Sequence, residues 1–150
     1  MTEDGLLGFG SVEALKAFNQ SIIDEFRANA GQCGGRFEGN PMLLLTMRGA
    51  QTNRWLTTPL SYCADGDDCI VMASAGGSSK HPMWFFNLLA NPLVMIERGS
   101  ETYRGLADVL SGQNRSRAFE KMIAALPRFK DYQDQVVRAI PVIRLSRCES

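Results

Sequence analysis

Between Pro41 and Gly49 the chain reads PMLLLTMRG, a continuous apolar run too short to stand as a helix and lacking a polar face. Such a run fits a strand buried on both sides, so this segment calls for a sheet with covering layers on two faces. The stretch RWLTTPLSYC reads as a second strand, with Pro59 marking an edge or a bulge because proline cannot donate to a ladder. ADGDD then supplies an Asp-Gly turn into CIVMASA, and these three strands are expected to form a meander.

Helices are legible on either side. From Ser11 to Asn29 the residues Val12, Leu15, Phe18, Ile22, Ile23 and Phe26 recur at helical spacing, with Ser11 placed to cap and Glu13 and Glu25 facing outward. The glycines of NAGQCGG end that helix. LVMIER and ETYRGLADVL read as strands hinged at Gly99-Ser100, QNRSRAFEKMIAAL as a helix, and IPVIRLS as a last strand. Hairpins with inserted helices predict an α+β fold with a mostly antiparallel sheet, closed or half-closed into a barrel and flanked by helices. At 150 residues, a single domain over 1–150 is expected.

Sixteen basic and sixteen acidic residues cancel and are interleaved, which leaves no electrostatic footprint for nucleic acid. The longest apolar runs fall far short of the roughly twenty residues of a membrane span. Glu3 and Asp4 are unlike the basic flank of a signal peptide, so a cytoplasmic protein without a transmembrane segment is expected. Cys33, Cys63, Cys69 and Cys148 form no C-x-x-C pair and have a single histidine for company, which predicts reduced thiols and no metal site. Only Cys63 and Cys69, flanking the hairpin turn, are placed to meet. Ser61 and Ser74 lack a Ser-His-Asp constellation or a G-x-S-x-G elbow, and neither G-x-G-x-x-G nor a P-loop occurs.

The stretch SAGGSSKHPMWFFNLLANP packs a glycine pair, the only histidine and three successive aromatics together. A strand, a Gly-Gly loop and a helix start present unpaired N–H groups to which a ligand phosphate can come close. The helix is expected to have Pro82 in its first turn and to be lined by Trp84, Phe85, Leu88 and Leu89, with Trp84 the aromatic nearest a pocket. His81 has no second metal ligand and no nucleophile beside it.

The succession EFRANAGQCGGRFEGNPMLLLTMRG, TTPLSYCADGDDCIVMASAGG, HPMWFFNLLANPLVMIE and FKDYQDQVVRAIPVIRL resembles, in order and over almost the whole chain after about Ile22, the deazaflavin-dependent nitroreductase family of split β-barrel proteins. The resemblance implies a split β-barrel that binds the deazaflavin coenzyme F-420 and passes hydride to a flat apolar electrophile: a quinone, a nitroaromatic or an activated double bond. It implies cofactor contacts from Gly49, Thr52, Pro59, Ser74, Ala75, Gly76, Gly77, Trp84 and Asn87, to which Arg54 and Lys80 are added as cations of this chain's own. Ser74 and Tyr132 would touch the acceptor as catalytic residues. Ser61, Leu126, Phe129 and Tyr132 would line the substrate pocket, made more apolar because Leu126 and Phe129 stand where tyrosines often occur. Split barrels are often dimers, so a homodimer is the corresponding expectation.

The chain departs from the family where a basic segment usually holds the anionic tail: Ala50, Gln51, Leu56 and Ala75 stand there, leaving Arg48, Arg54 and Lys80 to compensate. Loss of the cofactor altogether would leave a barrel that isomerises or cyclises a polycyclic metabolite by shape. A binding protein without catalysis, or one using flavin or haem, is the third reading.

Overall fold

The computed structural model describes residues 11–34 and 39–148. Glu3 and Asp4, read above for a leader, and part of the GGRFEGN stretch lie outside them. The elements run α1 (Val12–Ala28), β1 (Met42–Arg48), β2 (Trp55–Ser61), β3 (Cys63–Asp65), β4 (Asp68–Met72), a 3-10 turn (Ala75–Gly77), α2 (Met83–Ala90), β5 (Leu93–Arg98), β6 (Glu101–Val109), α3 (Gly112–Ala125), α4 (Arg128–Asp134) and β7 (Val142–Arg147). Ser11 caps α1 as its position predicts, its side chain accepting from the Ala14 N–H at 3.1 Å.

The strands form one antiparallel sheet in the order β2-β1-β5-β6-β7-β4-β3. The expected meander is therefore corrected: β4 pairs with β3 and β7 and does not follow β2 across the sheet. RWLTTPLSYC is also two strands, broken at Tyr62, whose N–H leaves the ladder to donate to the Pro41 carbonyl at 3.2 Å. Because β2 and β3 are one residue apart in the chain yet lie on opposite edges, the sheet curls until its edges meet at Tyr62. Pro59 sits on the edge strand β2, opposite Leu44.

Three packed layers account for the apolar runs. Leu43, Leu45 and Met47 of β1 point into the curl with Val71, Ile96, Ile143 and Leu145, and α2 fills the same interior with Phe85 and Leu88. Met42 and Leu44, alternating with them, face Ile22, Ile23 and Phe26 of α1 on the outside. The β4 residues Ile70 and Met72 likewise face outward, beneath Ala118 and Met122 of α3 and Phe129 of α4. A strand whose apolar residues run consecutively, as Met42 to Leu45 do, is thus one covered by two different layers. Two expectations for the helices differ: Leu89 is exposed, because the buried face of α2 is Phe85, Asn87 and Leu88, and Pro82 caps α2 and does not enter its first turn. The short α4 carries no signal in the periodicity.

The same alternation settles the cysteines. Cys63 lies opposite Ile70 and Cys69 opposite Ala64, so the two thiols point to opposite faces of the sheet and both are free. Cys69 instead faces the interior, 3.6 Å from Arg98 Nη1 and 3.9 Å from the Tyr103 hydroxyl. Burial pushes its thiol above the ordinary value, and burial together with Cys69 pushes Tyr103 up to about 12.

The β3–β4 hairpin is tied down by charge. The Asp65 carboxylate accepts from Lys121 Nζ and Arg144 Nη2, each at 2.7 Å, while Asp68 accepts from Arg144 Nη1 at 3.1 Å. Those donors, Lys121 first, hold the Asp65 pKa below its usual 3.8. A carboxylate depressed in the folded state contributes stability above its unfolded pKa and loses it as the pH falls through the folded value. Asp65→Asn is therefore expected to lower the urea midpoint at neutral pH, with the gap to wild type narrowing below about pH 4 as the carboxylate is protonated. A gap that persists in acid would assign the effect to hydrogen bonding other than that of the charged carboxylate.

Candidate functional site

Two loops meet at α2. The β1–β2 turn is closed by Gly49 N–H donating to Arg54 O at 2.7 Å and Asn53 N–H to Gly49 O at 3.2 Å. Thr52 Oγ1 accepts from the Arg54 N–H at 3.3 Å, and a Cβ on Gly49 would come within 2.7 Å of that oxygen. The buried Asn87 of α2 reaches this turn, its Oδ1 accepting from the Ala50 N–H at 3.0 Å. Asn87 thus joins the turn to the helix that the glycine loop precedes.

The second loop leaves β4 at Met72. Ala75, Gly76 and Gly77 take φ of +48°, +63° and +88°, three left-handed residues in a row. This turn folds the backbone back under Ser74, whose carbonyl accepts from the Gly77 N–H at 2.9 Å. Ser74 and Ser78 are buried, while Gly76 and Lys80 are exposed. α4 packs against the loop: a Cβ on Gly77 would stand 2.6 Å from Gln135 Oε1 and 3.5 Å from Tyr132 Cδ1.

The structure therefore brings Ser74, Gly77 and Tyr132 into one neighbourhood, with Tyr132 in edge contact with Phe129 at 5.3 Å between ring centroids. Trp84 is half-buried against the sheet interior. Leu126 and Phe129 are buried in the layer beneath α3 and α4. Ser61, at the end of β2, accepts from Arg128 Nη2 at 2.7 Å and lies 3.3 Å from Met42 Sδ. Arg54 and Thr52 are exposed on the β1–β2 turn.

Arg138 is the residue that sequence reasoning missed. Its guanidinium lies under the glycine loop, donating to the carbonyls of Ala73, Ser74 and Ser78 and to His81 Nδ1. The available signal was a lone cation inside the otherwise apolar VVRAIPVI, which needs acceptors wherever it is folded. Burial, then the Arg138 charge, lowers the His81 pKa below its ordinary value, so this imidazole is neutral at physiological pH.

A concavity of about 550 Å³ lies elsewhere, on the outer sheet face, lined by Thr46, Trp55, Leu93, Met95, Arg104 and Cys148 among others. None of the residues expected at the site borders it. Among the described residues no cluster of His, Cys, Asp or Glu could hold a metal ion, and no helix is long and apolar enough to cross a membrane.

Residues 20–146 match the sequence profile of a family described as F420H(2)-dependent quinone reductase. An F420H(2)-dependent quinone reductase of Mycobacterium tuberculosis is 36% identical over 126 residues, covering 81% of this chain and 85% of that one. Among solved structures, one described as an F420-H2 dependent reductase superposes with a TM-score of 0.67 at 32% identity, covering 71% of this chain and 94% of that one. Another, described as a domain-swapped dimer, gives 0.69 at 27% identity, with 89% and 98% covered. A haem binding protein from Mycobacterium smegmatis shares the fold at 17% identity and a TM-score of 0.56, over 71% and 46% of the two chains.

Proposed function

The chain belongs to the F420H(2)-dependent quinone reductase family and is an oxidoreductase of that family, and from that premise we propose that it reduces a small apolar quinone with deazaflavin held across the two loops at α2. The observation that carries this reading is the charge of those loops. Residues 48–54 and 73–82 hold Arg48, Arg54 and Lys80 and not one carboxylate, around a backbone curve whose glycines admit close approach. That composition suits a ligand with a flat apolar ring and an anionic tail, despite Ala50, Gln51, Leu56 and Ala75.

In this reading Gly76, Gly77 and the loop N–H groups receive the backbone-contacting part of the cofactor, and Arg54 and Lys80 meet its tail. Trp84 and Pro59 supply apolar walls, while Gly49, Thr52 and Asn87 hold the turn in shape. When bound, reduced deazaflavin supplies a hydride, a two-electron transfer that with one proton turns a quinone into a hydroquinone. The chain's own part is positional: its loops fix the donor, and Tyr132, beside Gly77, orients the acceptor oxygen and offers a proton through its hydroxyl, with Ser74 on the same loop. Nitroaromatic or enone acceptors would use the same contacts.

Fluorescence titration with oxidised deazaflavin coenzyme, paired with an assay of a water-soluble naphthoquinone and the reduced coenzyme, tests this. Saturable micromolar binding that weakens at higher salt, together with quinone turnover, is expected. Absence of binding to high micromolar concentration would overturn the reading and favour cofactor-free transformation of a polycyclic metabolite in the same barrel.

A further inference from the structure

We propose that Arg138 is a positioning residue of the glycine loop, bracing residues 73–81 from beneath and placing under them a positive charge that an anionic ligand of that loop would feel. The proposal rests on the deazaflavin reading for its ligand, an anionic cofactor, though the bracing itself does not.

Arg138 lies between α4 and β7 and grips the loop at both ends. Nη1 donates to Ala73 O at 3.3 Å and Nη2 to Ser74 O at 3.0 Å, before the left-handed turn. Nε donates to Ser78 O at 3.1 Å, and Nη1 to His81 Nδ1 at 2.8 Å, beyond it. A guanidinium offers five donors in one plane, and no ammonium could span these four acceptors together.

What it grips needs holding. Ala75 carries a Cβ at φ +48°, a conformation that single residues other than glycine adopt only when their surroundings impose it. Clamping the carbonyls on either side of Ala75, Gly76 and Gly77 imposes it.

The acceptors are also all neutral. Three are carbonyls, and the fourth is an imidazole nitrogen that must be unprotonated to accept, which places the His81 proton on Nε2. No carboxylate is among the hydrogen-bond partners of Arg138 in the described structure, so its charge is not cancelled locally and its field reaches the loop it supports. His81 is faced by Phe85 and Phe86 of α2 at 4.8 and 5.9 Å between ring centroids, and by Arg138, with Lys80 its neighbour in the chain.

The test uses Arg138→Gln, which removes the charge and most donors, and Arg138→Lys, which keeps the charge but not the planar fork of donors. Three readouts are compared with wild type: amide hydrogen exchange at residues 74–80, the His81 titration by NMR, and the dissociation constant for oxidised deazaflavin. In both variants exchange in the loop is expected to speed at least about tenfold while α3 and β7 stay protected, showing the fold intact. In Arg138→Gln the His81 titration moves up towards its ordinary value and deazaflavin binds at least about tenfold more weakly. Arg138→Lys should recover part of that affinity without recovering loop protection. Unchanged loop exchange in a folded Arg138→Gln protein would overturn the bracing, and equal affinity in the Gln and Lys variants would overturn the charge role. If wild type itself binds no deazaflavin while the loop still loosens in the variants, the cofactor reading fails and the bracing stands.

Discussion

Gly77→Ala is expected to reduce deazaflavin affinity by about tenfold to a hundredfold and to lower stability by about 1–3 kcal/mol, the range for a residue forced into a sparsely populated backbone region. Its φ of +88° lies further from the left-handed basin open to other residues than the +63° of its neighbour Gly76. An added Cβ would also meet Gln135 Oε1 at 2.6 Å and Tyr132 Cδ1 at 3.5 Å. Gln135 can swing its flexible end away, so the clash alone is affordable, but the movement disturbs the face of α4 that carries Tyr132. Gly76→Ala, exposed and closer to the ordinary left-handed basin, should cost only about 1 kcal/mol. Thermal melts and fluorescence titrations of both variants decide the matter. A Gly77→Ala protein that binds like wild type would remove the loop from the binding surface.

Leu45→Ala should produce the largest loss of stability, about 3–5 kcal/mol by urea denaturation. Leu45 is 0% exposed at the middle of β1, between Thr58 of β2 and Ile96 of β5, with its side chain in the curled interior beside α2. Truncation leaves a cavity that strands held on both sides cannot collapse. Against a total of about 5–15 kcal/mol, that loss is a large fraction, equivalent to a fall in melting temperature of roughly 10 °C. Leu93→Ala, 64% exposed on β5, is the control and should change stability by about 0.5 kcal/mol or less. Comparable losses at the two positions would mean that the interior is not packed as described.

The local devices were readable because each is written within a few residues. Ser11 and the spacing from Val12 to Phe26 mark α1, and the Asp-Gly turn marks the β3–β4 hairpin. The curled antiparallel sheet with flanking helices followed from such signals, and the ordered motifs carried the family. The candidate site was legible only as separate pieces. Gly76 and Gly77 stood out by type, but nothing in the spacing placed α4 against them, and α4 itself is too short to show a period.

Two features lay beyond that reach. Three successive strands predict a meander, yet β4 pairs with β7, because closing the sheet at Tyr62 leaves the β3–β4 hairpin on the far side with β3 at the edge. Arg138 is a lone cation in an apolar stretch, and the acceptors that it needs lie 57 to 65 residues away. By itself the sequence determined that β1 is a strand covered on two faces and where α1 starts, since those depend on period, capping and the side chains of near neighbours. Only the tertiary structure decided the strand order, the opposite facing of Cys63 and Cys69, and the clamp of Arg138 on the glycine loop. These depend on which distant surfaces meet when the sheet curls, and burial then requires each polar group brought inside to find its partner there.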